Sequence, residues 1–311
     1  LEENHLPGTV KFFGCPAEEG GSGKTFMVRE GVFNGVDIAL TWHPATLNSI
    51  MSLSSLANFQ VYFRFEGISS HAAASPHLGR SALDAVELMN QGVNYLREHV
   101  IPEARIHYAY TDTGGISPNV VQANAEVLYL IRAPKVKQAE DIFKRVIKIA
   151  EGAALMTETK MTMRIDKACS NYIPNRSLEK VLYESLLDSK CEQPTEDEIA
   201  FAKGIWESLT PHEQEADLGS MRSFGSEFAG KYLVDHVSPY QPVDKAMSGS
   251  TDVADVSWVV PTAQLGAATC AIGTPAHTWQ MVAQGKSSFA HKGMLRAAEA
   301  MAKAAIRMLT N

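Results

Sequence analysis

Two adjacent carboxylates, Glu18 and Glu19, stand in the stretch GCPAEEGGSGKT (14–25). A histidine, His43, closes the apolar run VDIALTWHP (36–44). Neighbouring carboxylates point in different directions, so one can bind a metal while the other acts as a base. Histidine and glutamate on neighbouring strand ends suit zinc or manganese. Two other readings compete. A solvated acidic loop beside a strand-end histidine is common on protein surfaces. The tail GGSGKT also has the form of the end of a phosphate loop. That motif needs a glycine five residues before the Gly-Lys pair, and Glu18 occupies that position. Two carboxylates repel a phosphate rather than cradle it.

The elements that must position these residues follow from periodicity. GTVKFFG (8–14) is predicted to be a strand. A short helix is expected over about 22–32, with Ser22 as its N-cap, before the strand that ends at His43. In ANFQVYFRFEG, Phe59, Val61, Phe63 and Phe65 alternate with polar residues, which predicts a strand buried on one face. A helix follows with Ala82, Val86, Met89, Val93, Leu96 and Val100 on one stripe. Strands are expected at 106–111, 125–133 and 159–165, the last with Met161, Met163 and Ile165 alternating. A helix with Ala139, Phe143, Val146, Ala150 and Ala153 on one face precedes the last of them. The order strand, helix, strand, strand, helix, strand is the ferredoxin-like plan. It predicts an inserted α+β domain over 54–168. Residues 1–53 and 169–311 are then left as a discontinuous α/β domain. A helix is expected over 176–188, and helical pieces and loops over 190–250. STDVADVSWVVPTAQL (250–265) leads toward a strand. The C-terminal helix is expected to bury Met294, Ala298, Met301, Ala305 and Met308.

Composition narrows the function classes. The chain has 311 residues, 45% hydrophobic and 20% charged, as in ordinary globular proteins. A net charge of -7 argues against a nucleic-acid partner. No apolar run reaches membrane-span length. The four cysteines (Cys15, Cys169, Cys191, Cys270) form no CxxC pair, which suits free thiols in a reducing, cytoplasmic compartment.

Four further stretches occur in order: ISSHAAASPHLGRSALDAV (68–86), TGGISPNVVQANAEVLYLIRA (113–133), STDVADVSW (250–258) and PAHTWQ (275–280). With the Glu-Glu pair and TWHP, they make the chain resemble the aminoacylase/glutamate-carboxypeptidase superfamily of dinuclear metallohydrolases. The resemblance implies a zinc-peptidase-like catalytic domain with a lid or dimerisation domain inserted. It implies hydrolysis of an amide bond in an N-acyl amino acid, such as an aminobenzoyl-glutamate-like substrate. The site would hold zinc or manganese, two ions in the family. A homodimer through 54–168 and a related A-type partner subunit are implied as well.

Carried over residue by residue, Glu18 matches the general base and Glu19 the metal-binding member of the pair. His43 and His277 match metal-ligand histidines, with His291 a rival for the second. His71 matches a lid histidine that steadies the tetrahedral intermediate, a large catalytic contribution in such reactions. Asn119 matches a substrate-contacting asparagine, although Asn is also favoured in turns. His77 and Arg80 fit helix-start or surface roles equally well. Asp252 and Asp255 lie near the site in the family, yet also suit a helix N-terminus. Gly20, Gly21 and Gly23 let the backbone turn behind the carboxylates, and Lys24 is expected on the surface or along the helix.

The chain also departs from the pattern. The family draws further metal ligands from a Cys-Gly-His or His-x-Asp segment upstream of the Glu-Glu pair, and neither occurs here. The sequence is therefore expected to lack the first part of the catalytic domain, and to bind one metal or none. The alternative is a non-catalytic fragment or subunit that keeps the fold for association.

Overall fold

The computed structural model describes residues 1–215 and 230–310. Part of the 190–250 stretch, 216–229, lies outside the described residues. In chain order the main elements are α1 (Gly23–Arg29), β1 (Ala39–Ala45), β2 (Ser49–Ile50), β3 (Ala57–Glu66), α2 (Ala82–Leu96), β4 (Arg105–Asp112) and β5 (Asn124–Ala133). Then come α3 (Val136–Thr157), β6 (Lys160–Cys169), α4 (Arg176–Leu187), α5 (Glu196–Glu207), α6 (Val253–Ser257), β7 (Thr262–Ala268), α7 (Trp279–Gln284) and α8 (Ser288–Thr310).

The larger sheet has the order β4-β5-β3-β6, antiparallel throughout. This is the ferredoxin-like arrangement that the alternation predicts. Val61, Phe63 and Phe65 are fully buried against α2 and α3, whose apolar stripes are the expected ones. Phe63 meets Tyr129 edge-on at 5.8 Å and Phe59 stacks on Phe143 at 5.1 Å. Met163 and Ile165 share the face of Phe63 and Val61, their ladder partners, but are exposed. They sit on the edge strand β6, beyond the cover of the two helices.

The smaller sheet has the order β1-β7-β2, with β1 parallel to β7. Every residue of β7 is buried, as expected for a strand covered on both faces. α4 and α8 pack on it through Leu178, Leu182, Leu186, Ala297, Ala300 and Ala304.

Three expectations need correction. The 8–14 stretch forms no strand, and Phe12 in it is 95% exposed. A strand needs a ladder partner, and this segment has none among the described residues. The buried stripe of α8 is Gly293, Arg296–Ala297, Ala300 and Ala304, while Met294 and Met308 are exposed. Close approach decides it: a Cβ on Gly293 would lie 2.2 Å from the Ala268 carbonyl oxygen, so small residues face β7 and methionines turn away. Ser22 does precede α1, but at φ 52° and with no capping bond from its side chain. The carboxylate of Asp252, far along the chain, accepts from the Lys24 N–H at 2.9 Å instead.

Candidate active site

The Glu-Glu loop is a tight connection onto α1. Ala17 takes the left-handed conformation (φ 57°), and the Gly21 N–H donates to its carbonyl at 2.9 Å. A Cβ at Gly23 would sit 2.1 Å from the Pro16 carbonyl oxygen, so this position requires glycine. Gly20 meets nothing within 4 Å, so of the three glycines it is the least constrained. The turn separates the two carboxylates. Glu18 is half-buried and its Oε1 accepts the Thr251 hydroxyl at 2.9 Å. Glu19 is exposed, and its Oε2 lies 3.7 Å from His277 Nδ1.

His43 sits in β1 opposite Gly266 of β7. Its Nδ1 is buried and has no hydrogen-bond partner among the described residues. Burial holds the imidazole below its ordinary 6.5, against the upward pull of Glu18 and with a further push down from Lys24. A neutral ring is the form that ligates metals. His277 lies in the loop after β7, at φ 61°, just before Thr278 caps α7. Left-handed non-glycine residues are costly and gather at functional sites; Ala17, Ser22 and His277 all belong to this cluster.

The structure thus gathers Glu18, Glu19, His43 and His277 at one place. His71 and Asn119 form a second group on the larger sheet's loops. The Ala72 N–H donates to the Asn119 carbonyl at 2.9 Å, and His71 bridges Val120. His71 Nδ1 accepts from Ala73 N–H at 3.2 Å and Ala74 N–H at 3.1 Å, which leaves Nε2 to carry the proton of the neutral ring. No hydrogen bond or ion pair among the described residues joins this group to Glu18 or Glu19. His291 is exposed on the first turn of α8, without contact to Glu19.

Sequence reasoning missed what holds the site together. Lys24 lies in α1, one of its two expected places, but it is buried rather than exposed. Its ammonium lies 2.8 Å from Asp252 Oδ1, with side chains 11% and 1% exposed. Asp255 accepts from Thr25 Oγ1 at 2.7 Å and from Ser170 Oγ at 2.7 Å. Both aspartates therefore tie α6 to α1 and to the end of β6. The signal was a lysine in a helix start whose counter-charge lies in an acidic stretch 228 residues away. Arg132, at the end of β5, also carries a buried Nε without a partner among the described residues, and its Nη1 donates to the Ser248 carbonyl at 3.4 Å.

As a metal set, these residues are incomplete. Among the described residues, no group of three or more His, Cys, Asp and Glu side chains could hold an ion. A catalytic zinc commonly takes three protein ligands. The cluster is also open, with the His277 and Glu19 side chains 74% and 78% exposed. A cavity of about 450 Å³ lies elsewhere, between α5 and the start of α8, lined by Glu198, Phe201, Lys286 and Ser288.

The fold is that of the M20 peptidase class. Residues 52–157 match the family described as the peptidase dimerisation domain. The chain belongs to the M20 family. It is 54% identical to the B subunit of p-aminobenzoyl-glutamate hydrolase of Escherichia coli (strain K12), over 99% of this chain and 66% of that protein. It is 30% identical to the Xaa-Arg dipeptidase of Mus musculus, over 99% of this chain and 62% of that one. The chain thus spans less than two thirds of the length of these relatives. Among solved structures, an aminobenzoyl-glutamate utilization protein from Klebsiella pneumoniae superposes with a TM-score of 0.61 at 19% identity, over 94% of this chain and 60% of that one. A Bacillus subtilis dinuclear metal binding peptidase of the M20 family gives a TM-score of 0.54 at 15% identity, over 98% and 66%. No described helix is long and apolar enough to cross a membrane.

Proposed function

We propose that this chain carries part of the active site of an amidohydrolase that cleaves a p-aminobenzoyl-glutamate-like N-acyl amino acid in the cytoplasm. The single observation that carries the reading is the split environment of the two carboxylates. Glu18 is held on one oxygen by Thr251, as suits a general base, while Glu19 faces His277, as suits a ligand. The base takes a proton from water as the water attacks the amide carbonyl. His71, with its proton on Nε2, and Asn119 beside it would meet the substrate from the lid, taken as 54–168 between the catalytic segments 1–53 and 169–311.

The Bacillus subtilis neighbour is described as a dinuclear metal binding peptidase, and for this chain the proposed ion is zinc or manganese. The described donors do not complete a site for one. That shortfall favours a second reading, in which the chain serves association rather than catalysis. A homodimer is proposed through α2 and the edge strand β4, which lie side by side where Asn90 Nδ2 donates to Tyr110 OH at 3.1 Å. Tyr95 on α2 is exposed there. A partner resembling the A subunit of p-aminobenzoyl-glutamate hydrolase is part of the same proposal, since that protein of Escherichia coli is 28% identical over 56% of this chain.

The test is hydrolysis of p-aminobenzoyl-glutamate by the full natural chain carrying this sequence. Glu18→Gln is expected to lower kcat by about 100-fold or more. Unchanged turnover in that variant would sink the mechanism. No turnover in the unaltered protein, combined with a stable dimer in sedimentation, would favour the association reading.

A further inference from the structure

We propose that Thr251 and Asp252 act together as a positioning clamp on the Glu18 carboxylate; this rests on Glu18 being the general base. The Thr251 hydroxyl oxygen accepts from the Val253 N–H at 3.3 Å. Its proton therefore points the other way, toward Glu18 Oε1 at 2.9 Å. One carboxylate oxygen and the rotamer are fixed, and Oε2 is left to take a proton. Asp252 holds the backbone behind the base. It stands at the N-cap of α6 but makes no capping bond to its own helix. Its two oxygens go instead to the Lys24 N–H and the Lys24 ammonium, at 2.9 and 2.8 Å. Consecutive residues thus grip the carboxylate and the helix that follows it. Asp255 adds a third tie through Thr25. Misplacing a catalytic group by about 1 Å can cost 100-fold in rate.

The experiment compares Thr251→Val, Thr251→Ser, Glu18→Gln and the double variant Glu18→Gln/Thr251→Val in the full natural chain, with p-aminobenzoyl-glutamate as substrate. Thr251→Val should lower kcat by about 10- to 100-fold and leave KM nearly unchanged. Thr251→Ser keeps the hydroxyl and should recover most of the rate. If Thr251 acts only through Glu18, Thr251→Val should cost nothing further in the Glu18→Gln background. Wild-type kcat in Thr251→Val, beside an inactive Glu18→Gln, would overturn the clamp and leave the base standing. An undiminished loss in the double variant, or no recovery in Thr251→Ser, would overturn it too. Full activity in Glu18→Gln would remove base and clamp together. Thermal melting of Thr251→Ser against wild type shows whether any loss there is one of folding.

Discussion

Lys24 and Asp252, 228 residues apart in sequence, meet at two points: ammonium to carboxylate at 2.8 Å and backbone N–H to carboxylate at 2.9 Å. The contact closes α1 onto α6 directly behind the Glu-Glu loop. A buried carboxylate that loses its cation keeps its charge in a place water cannot reach, which is why breaking such a pair costs far more than the pair is worth over a hydrophobic one.

Lys24→Met should therefore destabilise the fold by about 3–5 kcal/mol. Arg29→Met, which breaks an exposed pair with Glu30 at 3.0 Å, should cost no more than about 1 kcal/mol. Denaturant midpoints of the two variants decide the matter. Equal shifts would mean that Asp252 is solvated in solution.

Glycine substitutions should split by sign. Gly293→Ala places a Cβ 2.2 Å from the Ala268 carbonyl oxygen, and Gly23→Ala places one 2.1 Å from that of Pro16. Each should cost about 1–3 kcal/mol as overpacking. Gly204→Ala in α5 meets nothing within 4 Å and should stabilise by about 0.5–1 kcal/mol. Melting temperatures of the three variants give the answer.

These contrasts show where the sequence was readable. The four-stranded sheet was legible because Val61, Phe63 and Phe65 announce a face that α2 and α3 then cover. The α8 face was misjudged by one position because methionine outranks alanine in hydrophobicity, while contact with β7 selected smallness. The 8–14 stretch has strand composition without a ladder partner among the described residues. In the site, Glu18, Glu19 and His43 stood out by residue type, and His277 came from the family resemblance. Lys24 and Thr251 did not, because their roles come from one long-range contact and leave no local pattern.

Metal retention tests the donor set. After loading with zinc or manganese and dialysis, this chain should hold less than about one ion by elemental analysis, since a stable catalytic site takes three protein ligands. Whatever is retained should fall in Glu19→Ala and in His277→Ala. A full equivalent, lost in Glu19→Ala, would mean that His43 joins the pair on binding.

The buried thiols contribute to the alkaline limit, beside Tyr129, Tyr172 and Tyr240, which burial also raises. Burial, with the nearby charges of Asp255 and Asp252, pushes Cys169 up to about 12 from an ordinary 9.0. Burial likewise raises Cys270 to about 11. In the unfolded chain both ionise near 9, whereas in the fold they stay protonated. The fold therefore binds more protons above pH 9, and its stability must fall as pH rises from about 9 toward these values. Each thiol contributes a slope of up to about 1.4 kcal/mol per pH unit. Cys169→Ala should flatten that slope between pH 9 and 11 relative to wild type, measured by denaturant unfolding at each pH. In the native protein at pH 8, a thiol reagent should leave Cys169 and Cys270 unmodified until denaturant is added. Labelling of Cys169 at native conditions, at the rate of an exposed thiol, would show that the junction of β6 with α6 opens far more readily than its ties to Asp255 imply.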